Sequence, residues 1–390
     1  MLELLFLLLP VAAGYGWVMG RNSLRQAQRK QSSILSRHYY KGLNFLLSDQ
    51  PDKAVDTLIK MINLDSDTVE THIAMGNFFR HRGELDRAIR IHQNLVEKEH
   101  LNDNLKQQAL KELGRDYLLA GFLERAEAAF LQLLDSDKYF MDAQQQLFNI
   151  YQTTKEWERA IELAERMVNC HGDSLELCER VAHFYCEQAG VHIKKQEFEL
   201  AEKSLQKAVL SDEHAVRPWL MLGQMAIAQQ NYLQAQEYLK QVPVRDVTWL
   251  SEAVPLLQEC ADKLGDSSEL EQLLETYHQQ CATAYLAKVK LMASKGQDRQ
   301  AAEFLLQQLR KKPTMKGFET LMNLYQHQST AEQQVGNSLA MLQELVQEQI
   351  KQRPKYRCSA CGFSGRQLHW LCPSCKKWGL VKPIKGLDGE

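Results

Sequence analysis

Gly76-Asn77-Phe78-Phe79-Arg80-His81-Arg82-Gly83-Glu84-Leu85-Asp86-Arg87-Ala88 is the stretch on which the fold of this chain turns. A small residue opens it, an aromatic ring stands three positions on, a polar turn signal follows at His81-Arg82-Gly83-Glu84, and an alanine comes twelve positions after the start. The spacing recurs as Gly42…Ala54, Gly114…Ala126 and Gly223…Ala235, and Phe148…Ala160 keeps it with a large first residue. Gly42 to Gly76 is 34 residues, and so is Gly114 to Phe148. The rings recur with the register as Phe45, Phe79, Tyr117 and Tyr151. Two helices that cross need a small side chain where their backbones approach and a bulky one to fill the space beside it. Such a pattern, interrupted by turns such as Asp49-Gln50-Pro51-Asp52 and Ala120-Gly121-Phe122, predicts a series of helical hairpins.

This register resembles the tetratricopeptide repeat, a 34-residue helix–turn–helix unit with small residues at the helix crossing. Ala182 and Tyr185 open a further unit whose Ala201 comes nineteen later, so its first helix or loop is about seven residues longer than the norm. Trp219, Leu222 and Gly223 restart the register, which blurs after Pro243 and returns at Tyr285, Ala301, Leu305 and Pro313. Residues 316–350 read as one or two closing helices. Six clear repeats and two or three degenerate ones are expected over residues 35–350. Stacked units of this kind curl into a superhelix with a concave groove for peptides or partner helices, and Asn44, Asn77 and Asn149 are candidates to line it.

Composition supports a helical chain. Leu, Ala, Gln and Glu dominate, runs of strand type are scarce, and only 9 Pro are present. The formal charge of −2 conceals a pattern. Residues 21–37 carry five basic side chains and no acid, residues 38–350 carry 33 basic against 46 acidic, and residues 351–390 carry nine against two. An acidic body thus lies between two basic ends. No charge interrupts Leu4 to Gly20, a run that gives roughly 25 Å of helix at about 1.5 Å per residue. With Arg21 and its basic neighbours directly after it, residues 1–20 are expected to be a single transmembrane anchor. Residues 21–34 then form a basic juxtamembrane segment, with the body cytoplasmic. A cleaved signal would place the charge before the run. Trp17 suits the membrane interface, and Gly16 and Gly20 form a GxxxG spacing that leaves helix pairing, and with it a homodimer, open.

At the other end, Cys358-Ser-Ala-Cys361 and Cys372-Pro-Ser-Cys375 stand ten residues apart. Each CxxC turn aims two thiolates at one ion, and four thiolates close a tetrahedron around zinc or iron. One metal ion held by Cys358, Cys361, Cys372 and Cys375 is therefore expected, in a small module over residues 351–390. So small a piece buries little, and the metal supplies its fold. Phe363, Trp370, Trp378 and Leu380 are expected to provide its apolar contacts, and His369 to lie at the surface. The module resembles rubredoxin and zinc-ribbon knuckles, except that the insert is short and Lys376 replaces the usual glycine after the second pair. The five remaining cysteines (Cys170, Cys178, Cys186, Cys260, Cys281) read as small core residues in a reducing compartment.

No phosphate loop, zinc-protease helix, nucleophile elbow or dinucleotide loop is present, so no enzyme is expected. Across its length the chain resembles the bacterial lipopolysaccharide assembly protein B family. The residues that carry the resemblance are the Leu-rich opening with Gly16, Gly20 and Arg21, the segment Tyr39-Tyr40-Lys41-Gly42-Leu43-Asn44-Phe45-Leu46-Leu47, and the four cysteines. The resemblance implies an adaptor of the bacterial inner membrane. Such an adaptor brings the deacetylase that commits lipid A synthesis to a membrane AAA+ protease, and a second membrane protein of the pathway opposes it. Two other classes are weighed. An iron-bearing electron carrier would need a coloured iron site. A nucleic-acid binder would rely on the basic tail, although the acidic body repels phosphate.

Overall fold

The computed structural model describes residues 17, 19–21, 45, 53, 69–98, 101–171, 175–328, 333–387 and 389. They belong to two compact units, divided between Glu156 and Trp157. The expectations that rest on Leu4, Gly16, Gly42, Asn44 and Ala54 lie outside the described residues, as does the side chain of Cys170. Trp17, Gly20 and Arg21 are helical, and the Arg21 guanidinium stands 5.1 Å from the centre of the Trp17 ring. Among the described residues no helix is long and apolar enough to cross a membrane.

The first unit contains α1 (Val69–His81), α2 (Leu85–Val96), α3 (Asp103–Ala120), α4 (Leu123–Leu133) and α5 (Phe140–Thr154). In α2 the residues Ala88, Ile91, His92 and Leu95 are buried, while Asp86, Arg90 and Gln93 face solvent. That is the spacing of one helical face. Asn102 caps α3 by accepting from the Asn104 N–H at 3.3 Å, and Gly121 ends it in the left-handed region at φ 81°. The crossing register has a specific filling. A methyl group on Gly76 would meet the His92 ring at 2.3 Å, and one on Gly114 would meet the Phe130 ring at 2.8 Å. The residue sixteen positions after each crossing glycine therefore fills the space that the glycine leaves. Phe79, Ala88, Ala126 and Phe130 are all fully buried around it, and a large apolar side chain so buried contributes about 1.5–3 kcal/mol.

One polar group interrupts this core. His92 and Asp116 are fully buried, with Nδ1 and Oδ2 2.5 Å apart, and the other ring nitrogen lies 3.3 Å from the Ile73 carbonyl. Arg80 donates to Asp116 at 3.0 Å, to Glu112 at 2.6 Å and to the side chain of Asn77 at 2.6 Å. Asn77, expected in the groove, is thus also part of an internal charge network. Asn149 accepts from Gln145 one turn earlier at 3.1 Å.

The second unit begins with α6 (Trp157–His171) and continues through α7 (Leu175–Lys194), α8 (Phe198–Ser211), α9 (Arg217–Ala228) and α10 (Tyr232–Arg245). A 3-10 turn (Val247–Trp249) leads to α11 (Leu250–Leu264), α12 (Ser268–Tyr277), α13 (Ala282–Ser294), α14 (Asp298–Lys311), α15 (Met315–Gln328) and α16 (Gln333–Gln352). The extra length of the Ala182 unit lies in the helix itself, since α7 runs for 20 residues. The register glycine is filled as before, with Leu239 2.6 Å from a methyl on Gly223. Pro243 does not end its helix. It sits in the last turn of α10, and Asp246 then caps the 3-10 turn by accepting from the Thr248 N–H at 2.9 Å. The blurred stretch after it is a helical hairpin, α11 and α12, with Leu250, Val254, Leu257, Leu270 and Leu274 in its core. Tyr285, Ala301 and Leu305 are buried together in the last core cluster.

Strands β1 (Tyr356–Cys358), β2 (Ser364–Gly365) and β3 (Val381–Pro383) follow, all antiparallel in the order β2-β1-β3. The all-α array therefore carries a small sheet at its end. The buried Cys186, Cys260 and Cys281 sit in helix packing. Burial pushes the Cys186 thiol up to about 12 and, with help from Glu259, the Cys260 thiol up to about 11, so neither is reactive at neutral pH.

Candidate metal centre

The site is built from two turns of the same shape. In the first, the Cys358 N–H donates to the Phe363 carbonyl at 2.8 Å and the Gly362 N–H to the Cys358 carbonyl at 3.0 Å. In the second, Cys372 N–H donates to the Lys377 carbonyl at 2.9 Å and Lys376 N–H to the Cys372 carbonyl at 3.0 Å. Gly362 and Lys376 are thus equivalent, and both adopt positive φ, 76° and 57°. Glycine does this freely, whereas a side chain costs about 1–2 kcal/mol there. Replacing Lys376 by glycine should therefore stabilise the knuckle by about 1 kcal/mol. A shift of its metal-loss midpoint to higher chelator concentration checks this, and an unchanged midpoint speaks against it.

The sheet holds the two turns against each other, with Cys358 opposite Val381 in the β1–β3 register. All four sulfurs lie within 4.8 Å of one another, with Cys358 Sγ 3.8 Å from Cys375 Sγ and Cys361 Sγ 3.6 Å from Cys372 Sγ. Sulfurs about 2.3 Å from one ion would form a tetrahedron with edges of about 3.8 Å, so the set fits a single tetrahedral metal. The Phe363 N–H aimed at Cys361 Sγ, with hydrogen bonds from the neighbouring thiols and Ser374, brings its pKa down to about 6. At Cys375 the Lys377 N–H acts the same way, but burial and the three other thiols outweigh it and push the pKa up to about 11. One thiolate forms readily, and a second beside it is unfavourable without a cation. Four soft sulfur donors with no carboxylate or imidazole among them suit zinc or iron.

The apolar contacts differ from the sequence expectation. Phe363 and Leu380 pack inside the knuckle with Tyr356 and Val381, joined by Leu368. Trp370 and Trp378 instead turn onto the helices of the second unit. A sheet of this size has no room for two indoles, and the array offers aromatic partners. Trp370 stacks on Trp249 at 4.5 Å and 22°. Trp378 stacks on His183 at 4.9 Å and 16°, and the rings of Trp157 and Phe184 meet it edge-on at 6.4 and 6.1 Å. The Arg217 guanidinium lies 5.5 Å from Trp370 and 5.8 Å from Trp378, and it donates to Glu187 at 2.7 Å. At the rim, Tyr356 Oη donates to Glu252 at 2.7 Å and Lys382 pairs with Asp246 at 3.1 Å. His369 is half-buried and meets the Phe363 ring at 6.1 Å.

Nothing in the spacing of His183, Arg217 or Trp249 marks them as the knuckle's seat. The usable signal was two tryptophans beside the ligands, more than the knuckle itself can cover. His183 has a measurable consequence. Burial, with Arg217 nearby, pulls its pKa down to about 3, against about 6.5 in an unfolded chain. The folded value is below the unfolded one, so acid favours the unfolded state. This contribution is complete above pH 6.5 and falls away below it, by up to about 1.4 kcal/mol per pH unit until pH 3. Denaturation of the metal-loaded protein at pH 7 and 5.5 should differ by about 1 kcal/mol more in wild type than in His183→Gln. Equal differences would show that His183 does not carry the acid sensitivity.

A stack of helical hairpins carrying a four-sulfur knuckle defines a tetratricopeptide-type repeat protein with a rubredoxin-like module. A family profile described as rubredoxin metal binding domain matches residues 356–383, and one described as tetratricopeptide repeat matches residues 71–105. The chain is 42% identical over 391 aligned residues to lipopolysaccharide assembly protein B of Escherichia coli K12, covering 100% of both. It is 37% identical to the protein of that name from Haemophilus influenzae, again over 100% of both. The chain belongs to the lipopolysaccharide assembly protein B family.

Proposed function

We propose that this protein is a non-enzymatic adaptor of the bacterial inner membrane that tunes lipopolysaccharide synthesis, with Cys358, Cys361, Cys372 and Cys375 holding one structural zinc or iron ion. The observation that carries the reading is the full-length likeness to lipopolysaccharide assembly protein B, which leaves no part of the chain outside the relation. In this reading, residues 1–20 tether the chain through Leu4, Gly16, Trp17, Gly20 and Arg21. The tether raises the effective concentration of the repeats beside membrane-bound partners. The repeats bring the lipid A deacetylase to a membrane AAA+ protease, and a second membrane protein of the pathway counteracts them.

The metal's contribution is to replace a hydrophobic core. Its ligands fix the two turns, and the turns aim Trp370 and Trp378 at α7, α9 and the 3-10 turn. The seating of both tryptophans on the array supports a structural role, since a carrier of electrons gains nothing from it. Two variants test the reading in cells, one lacking residues 1–20 and one with Cys358→Ser and Cys361→Ser. Each is expected to slow deacetylase turnover. Normal turnover in both would overturn the adaptor mechanism.

A further inference from the structure

We propose that a cleft between α11, α13, α15 and the knuckle is a binding site for an extended acidic segment of a partner protein. The cleft has a volume of about 480 Å³. Three of its walls are first helices of successive repeats, and the fourth is the segment that joins α16 to β1. Its position therefore depends on the array and the knuckle together.

Charge is the first argument. Among the described residues, Lys290, Lys316, Arg353 and Lys355 line the cleft, against Glu252 and Glu319. Glu252 already accepts the Tyr356 hydroxyl at 2.7 Å. Lys290 and Lys355 are exposed and have no ion-pair partner among the described residues. Lys355 is also fixed by its backbone, which donates to the Gly365 carbonyl at 2.9 Å and accepts from Ile384 N–H at 3.0 Å. The cleft is thus a basic concavity with two cations, Lys290 and Lys316, on a body, residues 38–350, that has 46 acidic and 33 basic side chains, and two, Arg353 and Lys355, on the basic tail. A local reversal of sign inside a concavity concentrates the field where a ligand would sit.

Shape and lining choose the ligand. The lining also includes Leu286, Ala287, Ile350 and Pro383, with Ser251 and Thr320. A bare inorganic anion has no use for apolar walls, whereas a peptide with alternating acidic and apolar side chains uses both. A helix 10–12 Å across would fill the cleft with little more than one turn, so an extended segment fits better. The Ser251 hydroxyl in the lining is buried without a hydrogen-bond partner among the described residues, available to a ligand carbonyl or N–H.

This inference deepens the adaptor reading by assigning it a surface, yet its test needs neither deacetylase nor protease. The full chain, metal-loaded, is titrated into a fluorescein-labelled hexapeptide of alternating glutamate and leucine, with a lysine–leucine hexapeptide as the opposite-charge control. Anisotropy should show binding of the acidic peptide, weakening as salt is raised, and little binding of the basic one. Lys290→Glu with Lys355→Glu should weaken it about tenfold or more. Melting temperature and metal content report whether that variant is folded. Should it lose its metal, Lys290→Gln, a change on α13 outside the knuckle's own sequence, should still weaken binding about twofold to threefold. Equal affinity for the two peptides, or an unchanged affinity in a folded variant, overturns the proposal. So does displacement by inorganic phosphate or tighter binding of a single-stranded oligonucleotide, because either assigns the cleft to another ligand. A failure here leaves the turnover result of the tether and cysteine variants intact, and the converse also holds.

Discussion

Changing Cys358 and Cys361 to serine is expected to release the knuckle from the repeats while leaving the helices folded. The module's buried apolar residues are few. Tyr356, Cys358, Cys372 and Val381 form the cluster, and two of the four are the ligands themselves. The strands span at most three residues each. Below about 40 residues a chain rarely folds without a metal or disulfide. A four-thiolate site supplies about 10–16 kcal/mol of apparent binding energy that becomes folding energy. Without it, the turns that present Trp370 and Trp378 have nothing to hold them, and the stacks on Trp249 and His183 are lost with the Tyr356–Glu252 and Lys382–Asp246 contacts. Far-ultraviolet dichroism should change little, because the helices do not contain the ligands. Tryptophan emission should shift to the red, and protease should cut near Arg353 and Lys355. Chelator added to wild type should reproduce both effects. An unchanged emission and digestion pattern in the metal-free protein would show that the knuckle is held by its seat rather than by its ion.

The seat also marks where sequence reading ends. Spacing alone identifies Gly76, Gly114 and Gly223 as crossing points, because close backbone approach demands a small residue at a fixed place in each hairpin. The CxxC pairs are legible for a similar reason, since four sulfurs around one ion tolerate little variation in spacing. What fills each crossing is not legible in that way. The residue sixteen positions on is His92, Phe130 or Leu239, and only packing decides which fits. Trp370 and Trp378 could be read as apolar residues but not assigned a side, because the choice between the knuckle's core and the helices depends on volumes brought together by folding. Helix position alone makes Asn77 a groove candidate, whereas its bond to Arg80 belongs to a network completed by Glu112 and Asp116 from another helix.

That network gives the largest expected effect in the first unit. Asp116→Ala should destabilise it by about 3–5 kcal/mol, the loss typical of breaking a buried ion pair from one side. Asp116 is fully buried and is shared by His92 and Arg80, at 2.5 and 3.0 Å. Its removal leaves the imidazole with only the 3.3 Å contact to the Ile73 carbonyl, in a site that water does not reach. His92→Leu should cost far less. Arg80 still neutralises Asp116 in that variant, and the Gly223–Leu239 crossing shows that leucine fits the space beside a register glycine. Removing a polar partner while supplying apolar volume exchanges a desolvated pair for packing, which is often close to neutral. The ordering is the point of the experiment. If His92→Leu destabilised the unit as much as Asp116→Ala in chemical denaturation, the histidine would be the group that Asp116 and Arg80 are there to serve. If Asp116→Ala is much the worse, the carboxylate is the hub, and the histidine is one of the two side chains it holds in place.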